Sequence, residues 1–176
     1  SHIKMIGGGE PGVATRMAKI ESFRNDTLKS KLGALTDKEK KNQKRRDAIS
    51  TILSGWRDVR GQAGGETCQD VGHIIASLEV EHGKLEAENT AMFNLKKKLG
   101  AVDKSLVRHL AILGQCQSTA SLGLVICDTS GPQLLSGDRV AGLTFLTLSK
   151  AEEEMAQISR EIEEFKRGEA DGNTGC

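Results

Sequence analysis

The sequence is poor in aromatic side chains: its 176 residues include four Phe, one Trp and no Tyr. Aromatics supply much of the area buried in a close-packed globular core. Their scarcity argues against a large core of that kind and for an elongated helical protein. Long apolar runs are also missing. The longest near a candidate strand, Ala141 to Leu148, falls far short of the ~20 residues that span a bilayer. With no secretory pattern ahead of the first helix, the chain is expected to be intracellular, cytoplasmic or nuclear, with no membrane partner.

Cysteine and histidine are few and scattered. Cys68, Cys116, Cys127 and Cys176 show no CxxC spacing, and none of the four His is grouped with them. Zinc ligation needs such grouping, and a disulfide framework needs more cysteines in a shorter chain. Free thiols in a reducing compartment are expected, although Cys116 and Cys127 could meet across a turn. Ser, His and Asp form no nucleophile-elbow pattern, so neither a cofactor nor a metal nor an enzymatic activity is expected. Gly7 to Gly12 lacks the Lys-Ser/Thr that would make it a phosphate loop, and residues 1–12 read as a flexible segment. Net charge is only +1, so attraction to an anionic partner would have to come from a local cluster.

What is abundant is heptad order. Every seventh residue from Val71 is apolar: Val71, Leu78, Leu85, Met92, Leu99, Leu106 and Leu113. This is the d seam of a long helix that packs along its length on another helix. The alternate a positions are Ile75, His82, Asn89, Lys96, Asp103 and Leu110. Polar a residues weaken association but select register, and Asn89 suggests a defined parallel one. Glu79, Glu81, Glu86 and Glu88 flank the first half of the seam. Apolar Phe93, Leu95, Val102, Val107 and Ile112 widen its second half, which implies more than one neighbour. The phase passes through Gly100 unbroken, so a continuous or merely kinked helix is expected.

Before this helix, Val13, Met17, Ile20, Phe23, Leu28 and Leu32 mark an amphipathic helix, with Gly33 placed as its C-cap. Thr36 and Glu39 form a capping box for a second helix. Its first half is basic, with Lys38, Lys40, Lys41, Lys44, Arg45 and Arg46; its second half carries the stripe Ile49, Ile52, Leu53, Trp56 and Val59. These two helices are predicted to form a basic helical hairpin over 13–60, separated from the heptad segment by the Gly-rich linker 61–66. A basic stretch ahead of a leucine repeat is the order found in bZIP factors, but there one unbroken helix joins the two parts, and here Gly61 to Glu66 intervenes.

Beyond the long helix, Leu122–Cys127, Gln133–Leu135 and Arg139–Leu148 read as short strands of an antiparallel β-hairpin or meander. Ser149 and Glu152 box the start of a last helix, whose Ala151, Met155, Ile158, Ile162 and Phe165 should pack back on the long one. It is expected to end at Gly168, leaving 169–176 as a disordered tail.

The sequence therefore predicts a mainly α fold in which 67–168 is a coiled-coil and β-sheet oligomerisation domain. The residues expected to join copies are Val71, Ile75, Leu78, His82, Leu85, Asn89, Met92, Leu99, Leu106, Leu110 and Leu113. The expected function is a non-enzymatic, self-associating scaffold or adaptor that presents the basic helix to other proteins. The alternative is an oligomer that holds RNA or DNA phosphates through Lys38–Arg46.

Overall fold

The computed structural model describes residues 12–62, 64–119, 125–128, 131–134 and 137–174. Helix α1 (Val13–Ser22) runs into a π-helical stretch, Phe23–Leu28, and then into α2 (Lys29–Gln62) without a break. Helix α3 (Gly65–Thr119) is 55 residues long. A short connection holds β1 (Val125–Asp128) and β2 (Gly131–Leu134), and α4 (Gly137–Thr174) closes the chain. The described chain falls into two compact units: Ser1–Ser30 with Lys97–Cys176, and Lys31–Lys96.

The Lys31–Lys96 unit is an antiparallel helical hairpin made by α2 and the first half of α3. Helix α2 ends at Gln62 and α3 begins at Gly65, which turns the chain with φ +64°, a value a residue with a Cβ seldom adopts. The apolar core of this unit is at its turn end. Ile49 and Leu53 of α2 meet Val71 and Ile75 of α3, with Trp56, Leu78 and Leu85 packed around them.

The other unit brings together α1, the second half of α3 and α4. Arg24, just beyond α1, holds Asp103 of α3 at 2.7 Å, Lys98 of α3 holds Glu161 of α4 at 3.0 Å, and Arg16 of α1 forks onto Glu152 of α4. Each of the three segments thus touches the other two. Ile20, Leu28, Leu99, Leu106, Leu113, Leu148 and Ile158 are fully buried in this unit. At its far end Cys116 and Val140 form a small cluster with Ile112 and Leu143.

Several sequence expectations are corrected. There is no N-terminal helical hairpin over 13–60, because the chain is helical through Gly33 and Thr36. Gly33 has a φ outside the left-handed region and open space around its Cβ position, so nothing there requires a turn. The apolar residues of α1 serve one unit and those of α2 the other. The Gly-rich linker is accordingly the turn of a hairpin within one unit.

The expected small sheet fails as well. Arg139–Leu148, which reads as its longest strand, lies within α4. Val140, Thr144, Thr147, Leu148 and Ala151 are all buried, at helical spacings of four, three, one and three. Both threonines satisfy their hydroxyls inside the helix: Thr144 donates to the Val140 carbonyl (2.8 Å) and Thr147 to that of Leu143 (2.7 Å). The β-branched residues that suggest a strand are thereby accommodated in a helix. The connection pairs only β1 with β2, antiparallel, with Val125 opposite Leu134 and Asp128 opposite Gly131. Two four-residue strands are too short to make a layer, and the fold is mainly α. Helix α4 also runs past Gly168, where the sequence places a helix end, to Thr174. The glycine-rich stretch before Gly12 and the turn between the expected strands lie outside the described residues.

Candidate functional site

The two distinctive features of the sequence, the basic run and the half-polar heptad seam, come together in the Lys31–Lys96 hairpin. Along α2 the inward stripe is Glu39, Asn42, Arg46, Ile49, Leu53 and Trp56, spaced three, four, three, four, three. Against it, α3 presents its own a and d residues.

Each polar a residue of α3 in this unit meets a polar residue of α2. Lys96 Nζ lies 2.9 Å from Glu39 Oε1. Asn42, buried at 8% exposure, donates through Nδ2 to Asn89 Oδ1 at 3.0 Å, and Asn89 Nδ2 donates to the Glu39 carbonyl at 3.4 Å. His82 Nε2 is 3.4 Å from Ser50 Oγ. Polar seam positions are tolerated when each finds a partner, and the need for that partner fixes which layer faces which. In the other unit Asp103 obeys the same rule, with Arg24 as its partner. Asn89 thus pairs with an antiparallel neighbour, not the parallel one its position suggests.

The flanks are equally ordered. All four glutamates beside the seam are paired with cations of α2. Glu88 takes Lys38 at 3.1 Å, Glu81 takes Arg45 at 2.8 Å, Glu79 takes Arg57 at 3.0 Å, and Glu86 lies 3.9 Å from Arg46. The two Arg45 nitrogens fork onto the two Glu81 oxygens. That hydrogen bonding holds the Glu81 carboxyl below the usual carboxylate range and raises Arg45. Apart from the half-buried Arg46, these side chains are largely exposed, so each pair contributes little stability alone. Collectively they select partner and orientation.

The basic run is therefore split. Lys38, Arg45 and Arg46 are turned to α3, while Lys40, Lys41 and Lys44 are exposed and form no ion pair among the described residues. Asp37 and Asp47 are exposed on the same face as Lys40 and Lys44, at spacings of three, four and three. Three lysines against two aspartates leave a single net positive charge on that surface.

The structure covers the whole expected association seam with the chain's own helices. Val71, Ile75, Met92, Leu99, Leu106 and Leu113 are buried, and Leu78, His82, Leu85, Asn89 and Leu110 are half-buried. Sequence reasoning missed the partners: Glu39, Asn42, Ser50 and Arg57 on α2, and Arg16 and Arg24 before it. The signal was present as charge complementarity, cations over 38–57 matching glutamates over 79–88.

One cluster has catalytic-looking composition. Ser105 Oγ donates to Glu154 Oε1 at 2.8 Å, and His109 Nε2 lies 3.3 Å from both Ser105 Oγ and Glu154 Oε2. A serine nucleophile needs its base on one ring nitrogen and its orienting carboxylate on the other. Here both groups crowd the same nitrogen and the Ser105 hydroxyl donates its hydrogen bond directly to the carboxylate, so the cluster ties α3 to α4. Cys116 is equally unsuited to nucleophilic work: burial pushes its thiol up, a hydrogen bond with Thr144 opposing in part. Among the described residues no three His, Cys, Asp or Glu side chains gather as metal ligands, and no helix is long and apolar enough to cross a membrane. No family model matches the chain, and neither does a curated protein or a solved structure.

Proposed function

We propose that this chain is a non-enzymatic, self-associating helical scaffold or adaptor, and that its basic α2 segment works in holding helices together rather than in gripping phosphates. One observation carries this reading: Lys38, Arg45 and Arg46 are engaged by Glu88, Glu81 and Glu86. The remaining Lys40, Lys41 and Lys44 share their face with Asp37 and Asp47. A surface with one net charge releases few counterions from a nucleic acid and so gains little affinity from it. The exposed faces of the long helices are then what the molecule offers to other proteins.

The test is fluorescence anisotropy with short RNA and DNA, single- and double-stranded, across a salt series. The scaffold reading expects no saturable binding at moderate salt and no change on converting Lys40, Lys41 and Lys44 to Glu. Tight binding that falls steeply with salt and is abolished by those substitutions would install the nucleic-acid reading instead.

A further inference from the structure

The turn between α2 and α3 has a property that a simple hairpin does not need. The last buried position of α2 is Leu53, and the first buried position of α3 is Val71. They are eighteen residues apart, and at 3.6 residues per turn eighteen residues make about five helical turns. If residues 62–66 were helical, the inward stripes of α2 and α3 would lie on one face of one continuous helix. In a hairpin the two stripes can take any relative phase, since the turn resets it. Only a helix that runs straight through uses this agreement.

The pairings also permit it. Lys38–Glu88, Arg45–Glu81, Asn42–Asn89, Arg57–Glu79 and Glu39–Lys96 are all antiparallel pairs placed symmetrically about the turn. Two straightened copies laid antiparallel would remake each of them between chains. The joint itself is small: α2 ends at Gln62 and α3 begins at Gly65, whose φ is +64°. A Cβ at Gly64 or Gly65 would meet nothing within 4 Å, so backbone conformation alone sets what a residue there does.

We infer that the chain pairs with a second copy of itself by arm exchange: residues 13–62 of each copy lie on α3 and α4 of the other, and the turn at Gly64 and Gly65 opens into helix. Arg24–Asp103 and Arg16–Glu152 become inter-chain along with the hairpin contacts. The inference rests on the self-association in the proposed function and names the surface that performs it. Short hinge segments favour such exchange, because every native contact except the turn is retained.

The test uses two full-length chains. One carries Lys38→Glu and Arg45→Glu, and the other carries Glu81→Arg and Glu88→Lys. Folded alone, each opposes like charges across both rungs. Mixed and exchanged, each arm meets its complement, and a one-to-one dimer forms about tenfold or more tighter than either homodimer. A single chain with all four reversals restores the ladder and shows that the substitutions are tolerated. In parallel, Gly64→Ala with Gly65→Ala penalises the left-handed turn and favours helix, raising the wild-type dimer constant by about tenfold. Mass measurements over a concentration series read every arm. A wild-type dimer together with complementation by the mixed chains supports exchange. A wild-type dimer without complementation overturns exchange but leaves self-association, through another surface such as the exposed Ile52, Val59 and Ile74. A wild-type chain that stays monomeric at all concentrations overturns both.

Discussion

Arg16 shows how single residues hold this protein together. It lies on α1, its guanidinium forks onto Glu152 of α4, and hydrogen bonding from it holds that carboxyl below the usual carboxylate range. A carboxylate whose folded-state pKa is depressed contributes stability above its unfolded pKa and loses it as pH falls through the folded one. Both groups are substantially exposed, so solvent screening keeps the effect small, a few tenths of a kcal/mol to about 1. Arg16→Gln should lower the thermal midpoint slightly at neutral pH and flatten its decline on acidification. A variant whose midpoint falls with acid as steeply as wild type would show that Glu152 is not held this way.

At the scale of elements, the decisive feature is continuity. Glycine at a true helix C-cap resists substitution because its φ is positive, whereas glycine inside a helix costs about 1 kcal/mol relative to Ala. Gly33 is inside a helix, with open space around it. Gly33→Ala is therefore expected to stabilise the protein by up to about 1 kcal/mol in thermal or denaturant unfolding. Destabilisation would return the turn that the sequence suggests.

The same contrast shows what is legible in the sequence. The heptad seam from Val71 to Leu113 is plain, because a seven-residue repeat is a property of one helix read alone. So is the inward stripe of the last helix, Ala151, Ile158 and Ile162, all buried. Gly33 and the Thr36 and Ser149 capping boxes mislead, because local end signals are weak beside tertiary packing that continues a helix through them. Arg139–Leu148 misleads because Val140, Thr144 and Thr147 are β-branched and suggest a strand until their helical burial pattern is seen. The basic run is visible, but its partners are not. Whether Arg45 faces water or Glu81 depends on a register between segments 36 residues apart, and composition does not fix that register.

For the molecule as a whole, the seam acts as an address. Apolar layers at the turn end of the hairpin, Ile49 and Leu53 against Val71 and Ile75, supply adhesion but little discrimination. Polar layers toward the other end, Asn42–Asn89 and Glu39–Lys96, supply the discrimination. A slip of one heptad would separate each of these groups from its partner. The address holds whether the arm belongs to the same chain or to a second copy, so one code specifies both the fold and its exchange.

That antiparallel address is tested most directly by a double-mutant cycle on Asn42 and Asn89, read as the free energy of denaturant unfolding. Asn42→Leu alone leaves the half-buried Asn89 Oδ1 without its donor and should cost roughly 1 kcal/mol. Adding Asn89→Leu should recover most of that loss, giving a coupling of about 1 kcal/mol or more. If Asn89 instead paired with another Asn89 in a parallel seam, Asn42→Leu would be nearly silent and the two substitutions would simply add, contradicting the antiparallel pairing of α2 with α3.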